Sequence, residues 1–192
     1  FLDEKAFNKA FADWVEKIRP NLGDHHIAID GKTSRRSGSK KTALKPLHSV
    51  SAWSTEMSLV LGQVHVKEKS NEITAIPELL DMLELQGCLV TIDAMGCQKD
   101  IAEKIIEKGG DYVLALKANQ KNLYEEIKDY FDDAIENDFR DTKVYQFQTT
   151  EKDHGRLESR QYYVTNDIDD LFEVKSWPGI KSIAMVLAQR KI

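Results

Sequence analysis

The sequence predicts an α/β fold: a mixed sheet of three antiparallel strands followed by parallel βαβ units, with helices on both faces and an added antiparallel β segment. Three observations carry this expectation. The elements run strand, strand, strand, helix, strand, helix, strand, helix. Two short unbroken apolar runs, "CLVTID" and "DYVLAL", suit strands buried on both faces, and such strands are usually parallel. An amphipathic helical pattern follows each of them.

Taken in order, residues 4 to 18 read as a helix that Asp3 is placed to cap, with Phe7, Phe11, Trp14 and Ile18 as its apolar stripe. Pro20 and Gly23 end it, so residues 1–23 form an N-terminal helical segment and 24–192 the main domain. Strands are expected at His26–Asp30, Leu47–Trp53 and Ser58–Val66, the third with a bulge near Gly62. Thr74–Leu85 reads as a helix with Pro77 in its first turn. The strand Cys88–Asp93, the helix Lys99–Lys108 stopped by Gly109-Gly110, and the strand Asp111–Leu116 complete the βαβ pattern. Lys121–Asn137 is a long amphipathic helix. "KVYQFQTT", "RLESRQYYVT" and Ile183–Gln189 supply the added strands.

Bulk composition excludes several classes. No apolar run approaches the roughly 20 residues of a membrane span, and the N-terminus is not a signal peptide. Cys88 and Cys97 are the only cysteines, without a zinc spacing, so a reduced, cytoplasmic setting is the expectation. The net charge of −5 conceals a local pattern. From Lys32 to Lys45 there are six bases (Lys32, Arg35, Arg36, Lys40, Lys41, Lys45) and no acid, whereas Glu125 to Asp141 holds eight acids and two bases. Such a basic stripe can bind phosphates, although a solvated loop reads the same way.

Asp30 and Asp93 each end an expected strand and precede small or flexible residues. On neighbouring parallel strands, about 4.8 Å apart, the two carboxylates would converge. Bare, they repel and one takes a proton; a divalent cation removes the conflict, and hard oxygen ligands select Mg2+ or Mn2+. The plain alternative for either aspartate is a turn residue or helix cap.

The segments "IAIDGKT", "HSVSAWS", "EKSNEI", "VTIDAMGCQ", "DYVLALKANQ" and "HGRLESR" occur in the family order of bacterial insertion-sequence DDE transposases, and the chain resembles the H-repeat-associated group from about residue 24 onward. The resemblance implies an RNase H-like fold and metal-dependent strand cleavage and strand transfer at transposon ends. It makes Asp30 and Asp93 the first two acids of the triad and the ligands of Mg2+ or Mn2+. Double-stranded DNA is the implied partner, a homodimer is open, and neither a membrane nor an organic cofactor is called for.

The family's last acid stands in a Tyr-x2-Arg-x3-Glu-x6-Lys pattern. No tyrosine here has arginine three residues later, so the helix bearing that glutamate is expected beyond Ile192, in a longer protein. Glu158 is the rival third acid. On a strand it shares a face with His154, Arg156 and Arg160, where it could equally pair with the arginines. Arg156 and Arg160 are candidate DNA contacts, as are Lys117, Asn119 and Lys121 after the "DYVLAL" strand, although Asn119 also suits a helix start. His25 and His26 read as a surface pair within reach of a metal. His48, His65 and the tryptophans read as packing or surface residues, and Cys97 as a buried small hydrophobe. Two further functions fit the same residues: a stand-alone RNase H-like nuclease, and a truncated remnant that binds DNA without cutting it.

Overall fold

A computed structural model describes residues 3–18, 25–34, 37, 46–66, 71–140, 142–153 and 156–191. The chain divides into two compact units, Phe1–Asn119 and Gln120–Ile192.

The first unit is built on a five-stranded mixed sheet. Its strands are β1 (His26–Thr33), β2 (His48–Ser54), β3 (Leu59–His65), β4 (Leu89–Ile92) and β5 (Asp111–Leu114), in the spatial order β3-β2-β1-β4-β5. β1, β2 and β3 are antiparallel neighbours, while β4 runs parallel to both β1 and β5. The β2–β3 register shifts beside Gly62, where Leu61 is the extra residue of a bulge.

Three helices belong to this unit: α1 (Glu4–Ile18), α2 (Glu72–Asp81) and α3 (Lys99–Glu107). Strand alternation puts Ile27, Ile29, Val50, Ala52, Val90 and Ile92 on one face, where Ile76, Leu79, Leu80, Ile101 and Ile105 of α2 and α3 complete the core. Among the described residues, α2 and α3 thus pack on the same face of the sheet, where helices on both faces were expected. Leu89 and Val113, on the other face, are exposed, so β4 is buried on one side only and β5 half-buried on one side, contrary to the expectation from their apolar runs.

Other expectations shift in detail. Asp3 caps α1 through a bond from Ala6 N at 3.0 Å, as its position suggested. Val15 and Phe11 carry the helix's packing, whereas Phe7 and Trp14 of the expected stripe are about half exposed, Phe7 stacked on Phe11 and Trp14 tilted against it. α2 starts two residues earlier than expected because Asn71 caps it, accepting from Thr74 N, and Pro77 consequently falls inside the helix rather than in its first turn. Gly109 ends α3's turn at φ +75°, a conformation that costs glycine little.

The second unit holds α4 (Lys121–Glu136), α5 (Phe172–Lys175) and an antiparallel sheet of β6 (Tyr145–Asp153), β7 (Arg156–Thr165) and β8 (Ile183–Lys191), with β7 central. The sequence had not suggested α5. It forms because the Glu126 carboxylate of α4 accepts from the backbone N–H groups of Glu173 and Val174, at 3.1 and 2.9 Å.

Candidate active site

The β1–β4 ladder matches Ile27 with Val90, Ala28 with Thr91 and Ile29 with Ile92, and stops there. Asp30 and Asp93 are the next residues after this last pair. Two aspartates thus follow the last matched pair of adjacent parallel strands, at their C-terminal ends. Both are exposed.

The two are held differently. β1 does not end at Asp30, as the sequence suggested; it runs on to Thr33 because β2 continues to pair with it, Asp30 lying opposite Ser51. Asp93 stands outside its strand and opens a single 3-10 turn, Ala94–Gly96, with Oδ1 accepting from Met95 N at 3.0 Å. The capping role proposed as its plain alternative is therefore real. It occupies one of about four acceptor positions of the carboxylate.

Asn119 also serves this turn. Its Nδ2 donates to the carbonyl of Ala94, at 2.8 Å, so it ties the end of the first unit to the residue after Asp93. Lys117 is exposed. In the second unit, exposed Lys121 lies 3.8 Å from Glu125 one helical turn on. Lys32 is exposed at the start of the basic stretch, whereas Arg35, Arg36, Lys40, Lys41 and Lys45 lie outside the described residues, as does His154.

Glu158 lies in the second unit, in β7. Its carboxylate meets Arg160 Nη2 at 2.6 Å and Arg190 Nη2 at 3.3 Å. Arg160 is two residues away on the same face, and Arg190 is the matched residue on β8. Arg156 begins the strand. Neither His25 nor His26 stands idle. His25 Nδ1 is 3.3 Å from Glu56 Oε2, at ion-pair distance but not in hydrogen-bonding geometry. His26 bonds through Nε2 to Thr91 Oγ1, at 2.8 Å, and its backbone N–H donates to the Glu56 carboxylate. That amide is the main reason Glu56 is held down at about 2. Cys97 is buried, and burial pushes its thiol up to about 11, which suits an inert packing residue.

Sequence reasoning missed Glu72 and His48. His48 Nε2 and Glu72 Oε1 are 2.7 Å apart, and His48 Nδ1 and Thr33 Oγ1 also 2.7 Å. The available signal was Asn71-Glu72 as a helix opening and His48 as the first residue of a strand antiparallel to β1.

The donor chemistry of the Asp30–Asp93 pair fits a hard divalent cation, which commonly takes one or two carboxylates and completes its shell with water and phosphate oxygens. Among the described residues no three His, Cys, Asp or Glu side chains gather into a larger metal group. Among them, too, no helix is long and apolar enough to cross a membrane.

The family model "Transposase DDE domain" matches residues 21–176. A protein of Xanthobacter autotrophicus, described as lying in the dhlA 3' region, is 42% identical over 193 residues, all of this chain and 63% of that protein. The "Putative transposase YncI" of Escherichia coli O157:H7 is 44% identical over 191 residues, 99% of this chain and 48% of the relative. The "H repeat-associated putative transposase YhhI" of Escherichia coli K12 is 42% identical over 188 residues, 97% of this chain and 49% of the relative. The chain thus spans from about half to just under two thirds of the length of these relatives. With the matched region reaching from before β1 to the end of α5, and with relatives of this identity along nearly its whole length, the chain belongs to the DDE transposase family and resembles its H repeat-associated members.

Proposed function

We propose that this chain supplies the catalytic domain of an insertion-sequence transposase, RNase H-like in fold, that cleaves and joins DNA strands at the ends of its element. Residues 24–192 would act as that domain and residues 1–23 as a helical segment leading into it. The observation that carries the proposal is the register: Asp30 and Asp93 each directly follow the last matched pair, Ile29–Ile92, of adjacent parallel strands, at the C-terminal end where open α/β sheets bind ligands. The sheet order β3-β2-β1-β4-β5 supports the RNase H-like reading.

Asp30 and Asp93 would hold Mg2+ or Mn2+. When bound, the cation offsets charge on attacking and leaving oxygens in an in-line displacement at phosphorus. The chain's own part is positional. The β2 ladder fixes the backbone of Asp30, and the 3-10 turn with Asn119 fixes that of Asp93. Lys32, Arg35, Arg36, Lys40, Lys41, Lys45, Lys117 and Lys121 would hold phosphates of double-stranded DNA, with Arg156 and Arg160 as further contacts. Asn119, which supports the turn through Nδ2, would be a further phosphate contact. Glu158, engaged by two arginines, is the weaker choice for a third acid.

The test is Mg2+- or Mn2+-dependent nicking and strand transfer on DNA carrying an element end, by the chain and by a version extended past Ile192. Asp30→Asn and Asp93→Asn should each abolish both activities at an unchanged melting temperature, and Glu158→Gln should leave them standing. Nicking without strand transfer would identify a nuclease. DNA binding without nicking in both versions would identify a non-cutting remnant. Loss of cation binding in Glu158→Gln, as large as in Asp30→Asn, would make Glu158 a ligand.

A further inference from the structure

Alternation along β1 turns Asp30 to one face and Gly31 and Thr33 to the other, core-side face. On that side Thr33, His48 and Glu72 form a hydrogen-bonded chain from β1 through β2 to the first turn of α2. An ionised Glu72 only accepts, so His48 donates to it through Nε2. In the neutral ring Nδ1 is then an acceptor, and the Thr33 hydroxyl donates to it.

The location of this chain gives it meaning. Beyond Ile29, β1 has lost β4 and keeps only β2, whose ladder closes at the pair Thr33–His48. The stretch that carries Asp30 would be a single ribbon held from one side. The hydrogen-bonded chain joins its last residue to a helix of the core. The Glu72 carboxylate also lies against the α-carbon of Gly31, where any Cβ would overlap it. Residue 31 has to be glycine for the carboxylate to sit there, next to Asp30 in sequence. His48 and Glu72 side chains are 27% and 18% exposed, so the chain is partly shielded from competing water.

We propose that Glu72, His48 and Thr33 are positioning residues for Asp30: they fix the end of β1 so that the Asp30 carboxylate is presented to a divalent cation together with Asp93. This rests on the reading of Asp30 and Asp93 as the cation pair. It assigns no ligand role to the three residues themselves.

The experiment is a Mn2+ titration of the 192-residue chain, followed by electron paramagnetic resonance of the free ion, with thermal melting of each variant alongside. Thr33→Val keeps the side-chain shape and removes the hydroxyl, and Thr33→Ser restores it. Glu72→Ala removes the far end of the chain. The expected result is Mn2+ affinity lowered about tenfold in Thr33→Val and Glu72→Ala, measured well below their melting temperatures, and returned to within about twofold of the parent in Thr33→Ser, the scale on which outer partners of metal ligands act. A purely structural role would shift the melting temperature and leave the affinity of the folded protein alone. Unchanged affinity in Thr33→Val and Glu72→Ala, with binding lost in Asp30→Asn, would overturn the positioning role and leave the cation pair standing. Affinity indifferent to Asp30→Asn would overturn both.

Discussion

Asn119 reaches back to the carbonyl of Ala94, the residue after Asp93, and bonds to it at 2.8 Å. A side chain at the close of the "DYVLALKAN" segment thereby stabilises the turn that follows a different strand. Asn119→Ala should cost about 1 kcal/mol, the ordinary net value of one hydrogen bond. Asn119→Asp should cost more, since a carboxylate would face the carbonyl acceptor-to-acceptor. Denaturant midpoints at constant slope measure both. Two values indistinguishable from the parent would show that the bond does not matter.

Gly31→Ala should be destabilising by about 0.5–1.5 kcal/mol, the net value of the hydrogen bond that is given up. The new methyl overlaps the Glu72 carboxylate, and the flexible end of that side chain would yield by leaving His48. Adding Glu72→Ala removes the overlap. The double variant should therefore be more stable than the sum of the single effects by about 0.5–1.5 kcal/mol. Additive costs in urea melts would contradict the contact.

Glu56 gives a pH dependence with a defined sign. Its folded value of about 2 lies below an unfolded carboxyl near 4.3, because the His26 N–H donates to the ionised form. The stability it contributes is present above about pH 4.3 and is lost as pH falls through about 2. Nuclear magnetic resonance titration of the Glu56 carboxyl should give a midpoint near 2, and Glu56→Gln should flatten the decline in melting temperature over that window. A midpoint near 4 would refute the assignment.

Neutralising Arg35, Arg36, Lys40 and Lys41 should weaken DNA binding for all sequences alike. The slope of log affinity against log salt should shrink by about 0.9 for each phosphate that the protein no longer neutralises. An unchanged slope would remove these residues from the DNA interface.

The long elements were readable from the sequence because their periodicity is strong. α3 and α4 came within a residue of their observed ends, and the bulge beside Gly62 was marked by interrupted alternation. Boundaries set by a neighbour were not readable. β1 reaches Thr33 only because β2 pairs with it, and α2 starts at Glu72 because a cap at Asn71 outweighs the pull of Pro77. Apolar content misled for β4 and β5: "CLVTID" and "DYVLAL" look buried on both faces, yet Leu89 and Val113 are exposed. At the site, Asp30 and Asp93 could be named because strand-end acids are local signals. The Thr33–His48–Glu72 chain could not, since it depends on which residues of three separate elements come face to face.

The β1–β2 hairpin is closed at its base by the Thr33–His48 pair and by Ser34 N donating to Leu47 O at 2.7 Å. Ser37 reinforces the closure, its hydroxyl donating to Ser34 O at 2.7 Å and accepting from Leu47 N at 2.6 Å. With Ser34, Ser37 and Leu47 kept, doubling the length of connector that the ladder closes would cost only about 0.6 kcal/mol in closure entropy. Asp30 would keep its place opposite Ser51, because the register is fixed on the near side of that closure. The address of the Asp30 carboxylate is thus written in the ladder and its closing pairs.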